Sequence, residues 1–409
     1  MKVKIRKEKE NYLAYFIDSR RLVGVSSIGA EILEMLFNQE KSVDDIVLKL
    51  SESYGISALQ IEKDVKDFLL QLKKEILPSG FNVIDQEQMD SPLGIELEIT
   101  TSCNLRCRHC VQDGQHNEIF MDYKKFVEIA DILSENGVCE ISLMGGEPFR
   151  HSGIFDILDY CQKKDFAVNL VTNATLINDS AIEKLSSVSR LMLLVSLDGI
   201  QSTHDYIRGH DVFSKVDSVL RKLVKKRVSV ETLCTLNSYN ALKYKEVLDY
   251  CKDLDIPCNF NLFKPFSPKH SGLVLNPNQF FEIVLDLFRL RRDEGYKIGL
   301  SNSAIVAELL GMPSRDECRA TRSGLVIDVN GRMITCPSLV AAGYYGQEGL
   351  PFFDSDFLEK WRNHEVFQRF RKNGLRECQA RSFIFNENIL GEDPYGIKSF
   401  KTWRETHRV

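Results

Sequence analysis

"GIELEITTSCNLRCRHCVQ", residues 94–112, decides the fold. Its first seven residues alternate between apolar and polar side chains as a half-buried strand does. The chain then enters a loop that carries three cysteines within eight residues. A helical period follows in "YKKFVEIADILSEN" (123–136), and a second strand in "CEISLMGG" (139–146). The alternation continues with strands in "AVNLVTN" (167–173), "RLMLLVSLDG" (190–199), "SVETLCTL" (229–236) and "PCNFNLFKPF" (257–266). Helical stretches such as "IFDILDYCQKK", "SAIEKLSS", "VFSKVDSVLRKLVKK" and "LKYKEVLDYCKDL" lie between them.

Six strands separated by helices imply an α/β fold with a parallel sheet joined by right-handed crossovers. The spacing suits a partial (β/α)6 barrel of the TIM type, with chemistry on the loops after the strands. A further helix, "PNQFFEIVLDLFRLRRDEG", leads into about a hundred residues of less regular pattern. Ahead of the barrel, "KVKIRKEKENYLAYFIDSRRLVGVSS" reads as short strands with a turn at "DSRR". Three helices follow, with Ser26, Ser42 and Ser57 as caps near their starts. That order suggests an N-terminal winged helix-turn-helix domain over 1–82, and the Pro, Gly and polar residues of "LPSGFNVIDQEQMDSPLG" suggest a linker over 83–93. The barrel is expected over 94–300 and a C-terminal region over 301–409.

At 409 residues with 43% hydrophobic content, the chain can bury real cores. The start lacks the features of a secretory signal, and no apolar run approaches the ~20 residues that span a bilayer. A cytoplasmic protein is expected. A net charge of −5 supplies no basic field for nucleic acid or anionic lipid. The first 80 residues carry 13 basic and 13 acidic side chains, so the winged helix lacks a DNA-binding footprint. In a reducing compartment, clustered cysteines serve as metal ligands or redox groups more often than as disulfides.

Cys103, Cys107 and Cys110 have the spacing CxxxCxxC. Three thiolates on one loop can hold three irons of a cubane and leave the fourth open to a ligand. A three-cysteine zinc loop and chance are the alternatives. Structural zinc normally takes a fourth protein ligand, and His109 and His116 are poorly spaced for that role. Alternation places Glu96, Glu98 and Thr100 on one face of the first strand, Asn169, Val171 and Asn173 on one face of the third, and Asn259 and Asn261 on one face of the sixth. Such polar faces suit a barrel mouth or, alternatively, a solvent-facing edge.

"CNLRCRHC" after "LEITTS", with "LMGGEP" at the end of the next strand, resembles the radical S-adenosylmethionine (SAM) enzymes through the whole six-strand region. The resemblance implies a [4Fe-4S] cluster on Cys103, Cys107 and Cys110, with SAM on the open iron and reductive cleavage to a 5′-deoxyadenosyl radical. His109 stands where the family often has an aromatic residue. By the same resemblance Gly145, Gly146 and Glu147 line the methionine moiety, with the carboxylate receiving its ammonium group. Asn173 in "VTNAT", Ser196 in "VSLDG" and Arg208 in "HDYIRG" complete the implied SAM contacts. An arginine suits a carboxylate because it can bind it bidentately.

Three cysteines remain outside the predicted barrel elements: Cys318, Cys336 and Cys378. "NGRMITC" (330–336) resembles part of the auxiliary-cluster domain called SPASM, or its shorter Twitch form. The continuation "RECQARSF" has Arg381 where a second thiolate is expected, so one auxiliary [4Fe-4S] cluster is implied rather than two. Three unrelated buried cysteines are the alternative. Cys139, Cys161, Cys234, Cys251 and Cys258 have no ligand spacing and are read as core. The first 82 residues resemble PqqD-like precursor recognition (RRE) domains, which add a leader peptide as an extra strand to a sheet edge.

Together these resemblances imply a radical SAM maturase of a ribosomally made peptide (RiPP), forming an intramolecular thioether or C–C crosslink. Its implied partners are the precursor peptide and an electron donor such as flavodoxin or ferredoxin, with no nucleic acid and no membrane. Alternatives are a radical SAM epimerase, decarboxylase, sulfatase-maturase-like or tetrapyrrole enzyme, and more remotely an iron–sulfur regulator.

Overall fold

The computed structural model describes residues 2–76, 89–112, 118–266, 268–301, 303–311, 318–346, 349–372 and 377–408. Most of the expected linker and His116 lie outside the described residues.

The chain opens with an antiparallel sheet of three strands in sequence order, β1 (Val3–Glu8), β2 (Asn11–Phe16) and β3 (Arg21–Val25). Helices α1 (Ser27–Leu33), α2 (Val43–Tyr54) and α3 (Ala58–Ile76) follow. All three expected serines cap. Ser26 accepts from the Gly29 amide at 3.1 Å, Ser42 forms a reciprocal box with Asp45, and Ser57 accepts from the Gln60 amide at 3.4 Å. Each takes up an N–H that the first helical turn leaves without a partner.

Both faces of this small sheet are buried. Ala14, Phe16, Val23 and Val25 pack on Ala30, Leu33 and Leu72 of its own helices. The alternate residues Leu13, Tyr15, Ile17 and Leu22 pack on Met89, Leu93, Cys139 and Ala167. Period-two alternation thus makes β2 the layer between the N-terminal helices and the rest of the chain.

The main sheet contains β4 (Gly94–Thr100), β5 (Glu140–Gly145), β6 (Ala167–Thr172), β7 (Leu191–Ser196), β8 (Val230–Leu236) and β9 (Cys258–Leu262), all parallel and in sequence order. Apolar residues such as Leu97, Leu143, Leu170, Leu193 and Phe260 are buried in one continuous core. The helices that cover it are α4 (Tyr123–Glu135), α5 (Ile154–Lys163), α6 (Asp179–Ser187), α7 (Ser202–Arg208), α8 (Val212–Lys225) and α9 (Tyr244–Asp253). All five cysteines read as core are buried.

Six strands are not the whole sheet. After α10 (Pro277–Asp293), β10 (Ile298–Leu300) adds in parallel to β9. After α11 (Ser303–Leu309), β11 (Gly324–Ile327) adds in parallel to β4, and β12 (Met333–Ile334) closes that edge antiparallel to β11. Among the described residues the sheet therefore has nine strands and is mostly parallel. Helices α12 (Pro337–Ala341), α13 (Phe357–Asn363), α14 (Glu365–Lys372), α15 (Gln379–Asn386) and α16 (Ile397–His407) finish the chain. Among the described residues no helix is long and apolar enough to cross a membrane.

The N-terminal unit meets the main sheet where the strands begin. Arg20 donates to Asn169 Oδ1 at 2.5 Å and to the carbonyls of Val168 and Arg190. Tyr15 donates to Glu140 at 2.7 Å, and Arg6 donates to the carbonyls of Ser91, Pro92 and Gly137. These groups sit at the N-terminal ends of β5, β6 and β7, opposite the strand ends from which the cysteine loop departs.

Candidate active site

The cysteine loop leaves β4 at Thr100 and is stitched at once to the end of β5. Gly146 and Glu147 donate their amides to the carbonyls of Thr100 and Ser102, at 2.7 and 2.8 Å. A Cβ on Gly145 would fall 2.0 Å from the Thr100 oxygen, and one on Gly146 2.2 Å from the Ser102 oxygen. Glycine is required here because the root of the cysteine loop lies directly against β5. Gly145 also has φ +145°, a conformation side chains disfavour.

Cys103, Cys107 and Cys110 are half-buried and line one cavity of about 500 Å³. Gly145, Gly146, Asn173, Ser196 and Arg208 share that lining. Val171 and Asn261, from the polar faces of the third and sixth strands, are there too. Asn169 and Asn259 are not: Asn169 pairs with Arg20 and Ser142, and Asn259 with Glu231. Those two polar positions are satisfied within the protein.

Glu147 is held from within the protein. Its carboxylate is 1% exposed and accepts from Thr172 Oγ1 at 2.7 Å and from the amides of Asn173 and Phe149 at 2.7 and 3.1 Å. These three donors tie the carboxylate to the end of β6, and Gly145 and Gly146 line the cavity beside it. Asn173 in turn donates to Asn104 at 3.0 Å and lies 3.9 Å from the Cys103 sulfur.

Asp198 is the residue that motif reading passed over. It is 0% exposed and holds three groups. Oδ2 lies 3.0 Å from His109 Nε2 and accepts from Arg208 Nε at 2.5 Å, while Oδ1 accepts from the Thr235 amide at 2.7 Å. Burial pulls its carboxyl upward, but Arg208 and His109 outweigh that and hold it far below the usual carboxylate range. Arg208 is thereby fixed with Nη1 4.0 Å from the Cys107 sulfur. His109 stacks on Phe263 with ring centroids 6.4 Å apart, and its buried Nδ1 has no protein partner among the described residues. The "D" of "VSLDG" was the available signal, but only folding brings it to His109 and Arg208.

A second thiol group borders the same space. Cys318 and Cys378 line the same cavity as the first triad, with Lys264 and Arg381. A neighbouring cavity of about 410 Å³ is lined by Cys318, Cys336, Lys264, Glu96 and Arg319. Arg381, at the position where a thiolate is expected, forms a buried ion pair with Asp393, Nη2 to Oδ2 2.7 Å. Asp393 also accepts from the Cys378 amide at 3.2 Å, so this pair positions the cysteine at the start of α15.

The donor set fits iron–sulfur ligation. Zinc draws every ligand onto one ion at ~2.0–2.3 Å, whereas a cubane takes one thiolate per iron and needs thiols spread around its face. No group of three or more His, Cys, Asp or Glu among the described residues is arranged to hold a single metal ion. N–H groups point at the sulfurs: the Leu105 amide lies 3.4 Å from Cys103 Sγ, and the Ala320 amide 3.4 Å from Cys318 Sγ. Burial raises the Cys103 thiol and, against the pull of Arg208, pushes Cys107 up to about 11. It pushes Cys318 up to about 12. Ligation at these thiols releases protons.

Residues 97–264 match the radical SAM superfamily, and residues 13–77 match coenzyme PQQ synthesis protein D (PqqD). The chain thus carries a radical SAM domain behind a PqqD domain. That family uses a [4Fe-4S] cluster and SAM.

Among curated proteins it is similar to the sporulation killing factor maturation protein SkfB of Bacillus subtilis, 26% identical over 56% of this chain and 57% of that one. The antilisterial bacteriocin subtilosin biosynthesis protein AlbA of the same organism is 29% identical over 44% of this chain and 40% of its own length. The chain thus spans about half the length of these two relatives. The AdoMet-dependent heme synthase of Methanosarcina barkeri is 25% identical over 75% of this chain and 97% of that one. Streptococcus suis SuiB, solved with precursor peptide SuiA, shares the fold with a TM-score of 0.71 at 14% identity, covering 96% of this chain and 97% of that one.

Proposed function

We propose that this chain is a radical SAM maturase that crosslinks a ribosomally made peptide. One observation carries the reading: a single cavity is lined by Cys103, Cys107 and Cys110 together with Cys318 and Cys378, two thiols of the second group. The PqqD match and the two peptide-maturation relatives support it.

In this reading Cys103, Cys107 and Cys110 hold the SAM-binding [4Fe-4S] cluster. When bound there, cluster and SAM would supply the radical chemistry that removes a hydrogen atom from the substrate. Gly145 and Gly146 offer backbone to the methionine moiety, Asn173 and Ser196 offer polar contacts, and Arg208 grips the carboxylate. Asp198 orients Arg208 and His109. Cys318, Cys336 and Cys378 hold one auxiliary [4Fe-4S] cluster, in a Twitch/SPASM-like region over 301–409. Residues 94–300 form the barrel core. Residues 1–82 form the winged-helix RRE domain, which takes the leader along a sheet edge. A linker over 83–93 connects the two. The cavity walls exclude water and other hydrogen donors from the radical. The electron comes from a flavodoxin or ferredoxin in the cytoplasm.

Co-expression with a short peptide encoded nearby, followed by mass spectrometry, tests this. A crosslink removes two hydrogens, whereas an epimer leaves the mass unchanged. Absence of 5′-deoxyadenosine with SAM and dithionite defeats the enzyme reading altogether. Similarity along 97% of a heme synthase favours a tetrapyrrole substrate as the second reading. Turnover of a tetrapyrrole with no peptide modified would establish it.

A further inference from the structure

Lys264 stands two residues beyond β9 and lines both cavities, together with Cys318 and Cys378 in one and Cys318 and Cys336 in the other. Among the described residues no carboxylate forms an ion pair or hydrogen bond with it. The other cation facing these thiols from α15, Arg381, is already neutralised by Asp393. Glu96, across the second cavity, is reached by both Arg319 and Lys264 at longer range. The Lys264 ammonium thus shares its two cavities with three thiols, and among the described residues no carboxylate contacts it directly.

We infer that Lys264 is a positioning charge for the auxiliary site, making that site a better electron acceptor during crosslinking. The inference rests on the auxiliary-cluster part of the proposed function. Closing a thioether from a carbon radical and a cysteine thiolate forms one C–S bond and releases one electron, and the thiol's proton leaves to water. The electron reduces the auxiliary [4Fe-4S] cluster from its 2+ to its 1+ state. Each added electron deepens the negative charge on a cluster that three thiolates already make anionic. A fixed cation beside those thiolates stabilises the reduced form more than the oxidised one.

The test uses the full chain with Cys103, Cys107 and Cys110 changed to alanine, reconstituted without oxygen so that only auxiliary iron remains. Spectroelectrochemical titration and EPR then compare Lys264 with K264M, K264Q and K264R. With K264M and K264Q the reduced-to-oxidised ratio at a fixed potential is expected to fall about tenfold, a midpoint lowered by about 59 mV for one electron. K264R should stay near the parent. In the otherwise intact enzyme, K264M should keep forming 5′-deoxyadenosine while crosslinked product per deoxyadenosine falls.

Unchanged potentials at about four irons per chain overturn the inference and leave the auxiliary cluster standing. Loss of iron from both K264M and K264Q also overturns it, because Lys264 would then be needed for assembly. Absence of iron in the parent triple variant overturns the auxiliary-cluster reading itself.

Discussion

Asp198→Asn is the most informative single substitution, because it keeps shape and removes one charge. In the native site Oδ2 serves both Arg208 and His109 while Oδ1 serves the Thr235 amide. An asparagine has one acceptor oxygen and one NH2. If its oxygen faces Thr235, the NH2 opposes the Arg208 guanidinium, donor against donor. If the amide flips, the same conflict falls on the Thr235 amide. Neither orientation satisfies all three groups, and Arg208 loses its counter-charge while only 11% of its side chain is exposed. Removing one partner of a buried pair costs about 3–5 kcal/mol; with one hydrogen bond kept, about 3 kcal/mol is expected. Urea denaturation of the iron-loaded protein measures it. Calorimetric titration with SAM measures the second effect, a loss of affinity of about tenfold or more as Arg208 is released. Stability within 0.5 kcal/mol of the parent, with SAM affinity unchanged, would refute the idea that Asp198 holds the site together.

Other outcomes follow from the same geometry. Changing Cys318, Cys336 and Cys378 to alanine should lower iron from about eight to about four per chain; unchanged iron would remove those thiols from ligation. Arg20→Ala deletes three hydrogen bonds between the N-terminal unit and the starts of β6 and β7. It should speed hydrogen exchange at the amides of residues 167–169, and unaltered exchange would show that apolar packing alone holds the units together. Burial raises the Asp286 carboxyl, but hydrogen bonds from Lys245, Tyr244 and Arg289 prevail and bring it from 3.8 to about 2. Its contribution is therefore complete above about pH 4 and disappears as pH falls through about 2. Because Lys245 and Arg289 are half exposed, Asp286→Asn should cost only about 1 kcal/mol at pH 7. Denaturation midpoints of the two forms should converge near pH 2, and a constant gap would contradict the sign.

The six parallel strands and their helices were legible because each announces itself locally. Alternation in "GIELEIT" and apolar runs such as "LMLLVS" need only nearest neighbours to be read. Strands β10 to β12 were not legible. With lengths of three, four and two residues they are too short to show a period, and they form only because the edges of β9 and β4 are open to them. The hydrogen bonds of Glu147 were not legible for a related reason. The motif gives its place in the chain, but Thr172 and the amides of Asn173 and Phe149 decide which way its carboxylate turns.

Spacing along the chain determined which thiols share one loop, since Cys103, Cys107 and Cys110 remain neighbours in any fold. Partners far apart in sequence were decided by the tertiary structure alone: Asp198 with His109, Arg381 with Asp393, and Lys264 with the thiols of three distant segments. Short-range pattern is written by covalent connection. Charge pairing across the sheet exists only after hydrophobic burial has closed the molecule around it.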